Sequence, residues 1–319
     1  MAGLYVRSQT AWSRFRNDKY AGPNYAIPGK VLYVAPTTAY VAGYTVASAR
    51  SWAREHNAEV YDTLNLAYAA AVDGRGDTIV LLPGTHTLTA AIAWSKSGVA
   101  LVGPEAYCGR KVQKPSALVV PLAGGAAMAI TGADTYIEGI ACVPITQQSF
   151  ATFTGAADGL TIKNCFLDMF TPAVHTSTKG FTGSAGIDNF LFEGNVIWSD
   201  GAQGPGLTLS GLNNNALCRG NHWHVDAGTW AVAASLIDID GLVVSGDRAT
   251  CGGTAMTACY DGSGTTVVAG AYFERCLNGV NVTKFVDGFG TTTHAELVQN
   301  YFAAIGGGNG GATLVTVIT

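Results

Sequence analysis

Charge is what this sequence has least of. Asp, Glu, Lys and Arg together make up 13% of its 319 residues, about half the share usual in a soluble domain. Little of the surface is then solvated by ionic groups, and much of it is expected to meet other protein. No basic stripe runs through the body of the chain, which argues against a nucleic-acid partner. Cysteine occurs seven times (108, 142, 165, 218, 251, 259, 276), an odd count without a Cys-x-x-Cys pair. Neither a disulfide framework nor a structural zinc site is signalled, so mostly buried thiols are expected. Uninterrupted apolar runs are also missing: the uncharged window 115–133 is broken by Pro121 and Gly124-Gly125, and 297–319 by Gly306-Gly307-Gly308. Neither reads as a membrane span, and the first residues have no apolar signal-peptide core. A soluble product made in the cytoplasm, with no membrane partner, is the expectation.

The charge that exists is unevenly placed. The net value is −4, but residues 1–30 carry Arg7, Arg14, Arg16, Lys19 and Lys30 against Asp18 alone, +4, leaving −8 for the remainder. A solvated basic tail is one reading; an arm whose Arg7, Arg14, Arg16 and Lys19 dock on an acidic partner surface is the other.

In excess are glycine, with 41 residues, and a repeat. Eight times the chain reads apolar, any residue, then Gly or Asn: Leu101-Val102-Gly103, Ile137-Glu138-Gly139, Ile162-Lys163-Asn164, Phe192-Glu193-Gly194, Cys218-Arg219-Gly220, Val244-Ser245-Gly246, Val268-Ala269-Gly270 and Val298-Gln299-Asn300. The separations are 36, 25, 30, 26, 26, 24 and 30 residues. Gly and Asn enter the left-handed conformation at least cost, and apolar residues flank each turn at strand spacing. A chain that turns the same way at such intervals, with no room for crossover helices, builds a solenoid of stacked parallel coils. The expected fold is all-β, with about nine coils counting Leu81, a rod on the order of 40 Å at the usual strand spacing.

The stretch before the first coil reads as its cap. Asp62 or Thr63 can N-cap a helix at about 62–73 whose apolar face is Leu64, Ala67, Tyr68, Ala71 and Val72, and Gly74 stops it. The first strand is expected at Ile79–Leu82. An N-terminal arm or anchor region (1–60) and a β-helix domain (61–319) are the expected parts.

The helix, the strand and turn "GDTIVLLPGTHTL", the following "GVALVG" and the Gly/Asn turns resemble the right-handed parallel β-helix of the pectate-lyase-like superfamily, over roughly residues 60–319. That resemblance implies right-handed coils and little about function, since the fold serves polysaccharide lyases, polygalacturonases, phage tailspikes and non-catalytic virion proteins. The family's enzymatic motifs do not carry over. Basic residues after 115 are few and none sits beside an acidic cluster, and the polygalacturonase-like Asn-Thr-Asp, Asp-Asp, His-Gly and Arg-Ile-Lys set is missing.

Two constellations stand out from a polar outer face. In "NHWHVDAG" alternation puts His222, His224 and Asp226 on one strand face, with Trp223 and Val225 on the other. Asp226 and Asp200 each lie six residues after a turn glycine, Gly220 and Gly194, so they can stack on adjacent coils. Asp200, Asp226 and His224 are thus catalytic candidates for a polysaccharide lyase or glycoside hydrolase with Trp198 and Trp230 as platforms, and His222, His224 and Asp226 are metal candidates. In "IDIDG" Asp238 and Asp240 face outward, which solvation explains without calcium. Arg75-Gly76-Asp77 needs no receptor, because a helix stop and a strand start account for it.

The expectation favoured by these features is a non-enzymatic structural protein of a bacteriophage particle. Most specifically it is a homotrimeric capsid decoration (cement) protein on the virion surface, assembled in the host cytoplasm, bound through its arm to the major capsid or another virion protein and needing no cofactor. The alternative is a tailspike that binds or cleaves a host surface glycan.

Overall fold

The computed structural model describes residues 29–37, 47–48, 50–51, 59–82, 84–103, 117–120, 126–144, 149–169, 179–183, 186–199, 206–210, 213–225, 230–235, 239–250, 256–261, 271–278, 282–287, 295–298 and 301–302. Their strands form a parallel β-solenoid. Short strands recur in the order A, B, C along the chain, and each pairs in parallel with the strand one coil away. In one coil these are Leu191–Glu193 in sheet A, Val196–Ser199 in sheet B and Leu207–Ser210 in sheet C. A fourth, two-stranded piece pairs Asn213–Asn214 with Ile239–Asp240.

The expected count of about nine coils does not describe all the sheets, which among the described residues hold 11, 9 and 8 strands. Sheet A is longest because Val31–Val34 pairs with Thr78–Leu81, and Glu59–Tyr61 pairs with Val31–Val34 in turn. Residues assigned to the arm therefore extend a sheet of the solenoid.

Alternation sets which side chains fill the rod. On sheet A, Leu32, Ile79, Leu101, Ile137, Ile162, Phe192, Cys218, Val244 and Phe273 fall at one register position. All are fully buried. Sheet B repeats the device with Cys142, Leu167, Ile197, Trp223 and Ala249. Between the sheets the rings of Phe181, Phe192, Trp223, Tyr260 and Phe273 follow one another at centroid separations of 5.5 to 6.1 Å. Each large ring removed from water contributes about 1.5–3 kcal/mol.

The turn residue is left-handed at Gly139, Asn164, Gly194, Gly220 and Gly246, as the repeat requires. The next turn in this row is Arg275, with φ 52°. The triplet Val268-Ala269-Gly270 is therefore out of register: Phe273-Glu274 pairs with Val244-Ser245, and 262–270 lies outside the described residues. A search for Gly and Asn passes over an arginine held in a conformation such side chains rarely adopt.

Immediately after each left-handed residue, one side chain turns inward, and these form a hydrogen-bonded ladder through Cys165, Asn195, Asn221 and Asp247. Asn195 Oδ1 accepts from Cys165 N at 2.9 Å, Asn221 Oδ1 from Asn195 N at 2.9 Å, and Asp247 Oδ1 from Asn221 N at 2.8 Å. Asn195 Nδ2 donates to Ile162 O and Asn221 Nδ2 to Phe192 O, both at 2.9 Å. Buried amides otherwise left without partners are thereby satisfied.

The first coil is closed by a helix, α1 (Leu64–Ala70), N-capped by Thr63, whose Oγ1 accepts from Leu66 N. Leu64, Ala67 and Tyr68 are buried, and Tyr68 stacks on the buried Trp94 at 4.4 Å. The helix is shorter than the sequence suggests and Val72 is exposed rather than part of its buried face. It ends early because Ala71 is extended and the Lys96 ammonium takes over the end, donating to Tyr68 O, Ala69 O and Ala71 O. That is the favoured placement of a cation at a helix C-terminus. Asp77, fully buried, accepts from Lys30 N, Val72 N and the Arg75 guanidinium. The Arg-Gly-Asp triplet is thus spent on joining cap to first strand.

Candidate functional site on the outer face of sheet B

The strand His222–Val225 lies between Val196–Ser199 and Arg248–Thr250, with His222 beside Val196 and Arg248, and His224 beside Trp198 and Thr250. Trp223, between the two histidines, is fully buried, so the histidines point out of the core. The sequence reading of His222 and His224 as one face, with Trp223 opposite, matches this arrangement. Asp200 and Asp226 lie outside the described residues, as does Asp238. Trp198 and Trp230 belong to sheets B and C respectively, so the two do not share a sheet face. Arg7, Arg14, Arg16 and Lys19 also lie outside the described residues.

Two residues organise the site: Trp198, expected there as a platform, and Thr250, which the sequence reading did not single out. The Thr250 hydroxyl lies 3.0 Å from His222 Nε2 and 2.9 Å from His224 Nδ1. A hydroxyl has one proton to give, so it donates to one ring at most and accepts N–H from the other. Trp198 stacks on His224 with centroids 3.9 Å apart and planes 26° apart, fixing that ring, while the two imidazoles meet edge to face at 6.4 Å. The available signal was the 26-residue spacing of adjacent coils: His224 plus 26 is Thr250, and His224 minus 26 is Trp198.

The electrostatics at His222 favour a neutral ring. Burial, then Arg248, then His224 push the His222 imidazole down to about 4, because each penalises the charged form. By contrast the outer face of sheet A is ionic: Lys163 and Arg219 flank Glu193 from the coils on either side, at 3.2 and 2.6 Å.

A second polar centre lies inside the rod. The Asp247 carboxylate is fully buried, and besides Asn221 N it accepts from Trp223 Nε1 at 2.8 Å, Tyr260 Oη at 2.6 Å and Asn221 Nδ2 at 3.2 and 3.3 Å. Burial lifts its pKa to about 6 even though these donors pull it down. Cys218, Cys259 and Cys276 are buried nearby, and burial raises all three thiols. Such thiols are poor nucleophiles.

Among the described residues no group of three or more His, Cys, Asp or Glu side chains is placed to hold a metal ion, and no helix is long and apolar enough to cross a membrane. No family model matches the chain, and no curated protein matches it.

Proposed function

We propose that this chain belongs among the right-handed β-helices of the pectate-lyase-like kind and is a non-enzymatic structural protein of a bacteriophage particle, a capsid decoration protein that stands its solenoid on the virion surface as a homotrimer. The supporting observation is where the basic segment joins the rod. Lys30 N bonds to the buried Asp77 beside the α1 cap, and the strand that follows, Val31–Val34, sits within sheet A. Residues 1–28, carrying Arg7, Arg14, Arg16 and Lys19, join the described chain at Gly29-Lys30, beside the cap. A protein held at that end presents its sheet faces outward. The site on sheet B fits a static surface, because one nitrogen of each ring, His222 Nε2 and His224 Nδ1, lies within hydrogen-bond distance of a single threonine hydroxyl.

The test is binding of the full chain to expanded, undecorated capsids of the parent virus, beside a variant with Arg7, Arg14, Arg16 and Lys19 all changed to Glu. Binding by the parent chain and its loss in the variant is the expected result. Binding by neither, together with cleavage or capture of host polysaccharide, would replace this reading with a tailspike. The Trp198–His224 stack on an outer face is the observation favouring that second reading, since stacked rings offer a platform to the apolar face of a sugar.

A further inference from the structure

His222 and His224 are two residues apart on one strand, and one ring nitrogen of each borders a single group, the Thr250 hydroxyl, at 3.0 and 2.9 Å. The rings are held from several sides. Trp198 packs flat on His224, His222 is half-buried, and the strand carrying both is paired on each edge. Two imidazoles converging on one small polar group are a preorganised pair of borderline-soft donors, and their spacing is set by the pleat.

We propose that His222 and His224, with the Thr250 hydroxyl, form a binding site for one divalent transition ion of the zinc, nickel or copper class on the outer face of sheet B. The ion enters between the two nitrogens in place of the hydroxyl's hydrogen bonds. The ring that presented N–H to Thr250 ends with its proton on its other nitrogen. Water completes the coordination shell. Hard ions such as calcium and magnesium, which require several oxygen ligands, are excluded by this donor set. Arg248, beside His222 on the next coil, repels the ion and limits affinity to the micromolar range, on the order expected when two side chains supply the nitrogen ligands. The site does not depend on the virion reading; it requires only the described strands.

The experiment is titration of the full-length, metal-free chain with Zn2+, Ni2+ or Cu2+ at pH 7.5, read by calorimetry and by thermal unfolding, with Ca2+ and Mg2+ as controls. One equivalent of each transition ion is expected to bind and raise Tm, while the hard ions do neither. His222→Gln and His224→Gln should each weaken binding at least ten-fold, and Arg248→Ala should strengthen it several-fold. Bound Cu2+ should quench tryptophan fluorescence, and Trp198→Phe should remove the quenched component, a readout that survives if a histidine variant folds poorly. Failure of all three ions to bind at millimolar concentration overturns the proposal. So does binding that is unchanged by both histidine substitutions, which would place the ion at another of the chain's histidines.

Discussion

Asn195 and Asn221 each give and take within the ladder: the side-chain oxygen accepts a backbone N–H from the preceding coil, and the amide donates to a strand carbonyl of sheet A. At Asp247, one coil on, the oxygen that faces Asn221 N keeps its place, but the second group only accepts. The change follows from what surrounds it. Trp223 Nε1 and Tyr260 Oη both arrive as donors, and an amide nitrogen there would leave them unsatisfied. The same corner can thus hold an amide or a carboxylate, and the neighbouring donors decide which, even at the expense of burying an ion.

Four substitutions test that comparison. Asn221→Asp should have the largest effect. It sets a second buried carboxylate against Asp247 and turns an acceptor toward Phe192 O, so a loss exceeding about 4 kcal/mol at pH 7 is expected in urea denaturation. Asp247→Ala comes next. Measured at pH 5, it should cost about 4 kcal/mol, roughly 1 for each donor of Asn221, Trp223 and Tyr260 left in the core.

Asp247→Asn separates charge from hydrogen bonding. The folded pKa of Asp247, about 6, lies above its ordinary 3.8, so the stability linked to its proton is complete below pH 3.8 and lost as pH rises through 6. The parent chain should therefore lose up to about 3 kcal/mol relative to Asp247→Asn between pH 4 and 7. His86 and His222, both held near 4 by burial, contribute the opposite slope, with stability lost as pH falls below 6.5. Both proteins carry them, so the difference between the two profiles isolates Asp247. The smallest effect belongs to Arg275→Asn, expected to gain at most about 1 kcal/mol by relieving a left-handed arginine. A loss would mean that its side-chain interactions outweigh the backbone cost.

Much of the fold was written in the spacing of glycine and asparagine, because a left-handed turn restricts which residues can occupy it. Where Arg275 takes that role the pattern breaks, since tertiary pairing overrides propensity there. The second row of left-handed corners, at Asp134, Gly159, Asn189, Asn215 and Gly241, was equally present in the sequence but hidden by its mixture of residue types. The ladder left a trace too: Gly194-Asn195, Gly220-Asn221 and Gly246-Asp247 repeat a turn residue followed by a polar side chain. That those side chains point inward depends on the buried backbone N–H groups of the neighbouring coil that they accept from, which composition does not encode. At the outer site, strand alternation gave the face of His222 and His224, but their shared partner Thr250 comes from the next coil and becomes visible only once coils are laid in register.

The corner between sheets A and B has a consequence for how this chain can change. From Glu138 to Ala141, and again after Lys163, Glu193, Arg219, Ser245 and Glu274, two residues join the strands each time. Before Glu138 the same connection is longer, three residues after Leu81 and fourteen after Val102, and the segments from B to C and from C to A vary in length throughout. From Glu138 onward, one edge of the rod therefore acts as a reading frame. A single inserted residue there would exchange inside and outside along the sheet B strand that follows, whereas duplication of a whole 26-residue coil such as 195–220 would preserve the frame. Descendants of such a protein are expected to differ by loops at the other two edges and by entire coils, with the two-residue corners from Glu138 onward unaltered in length.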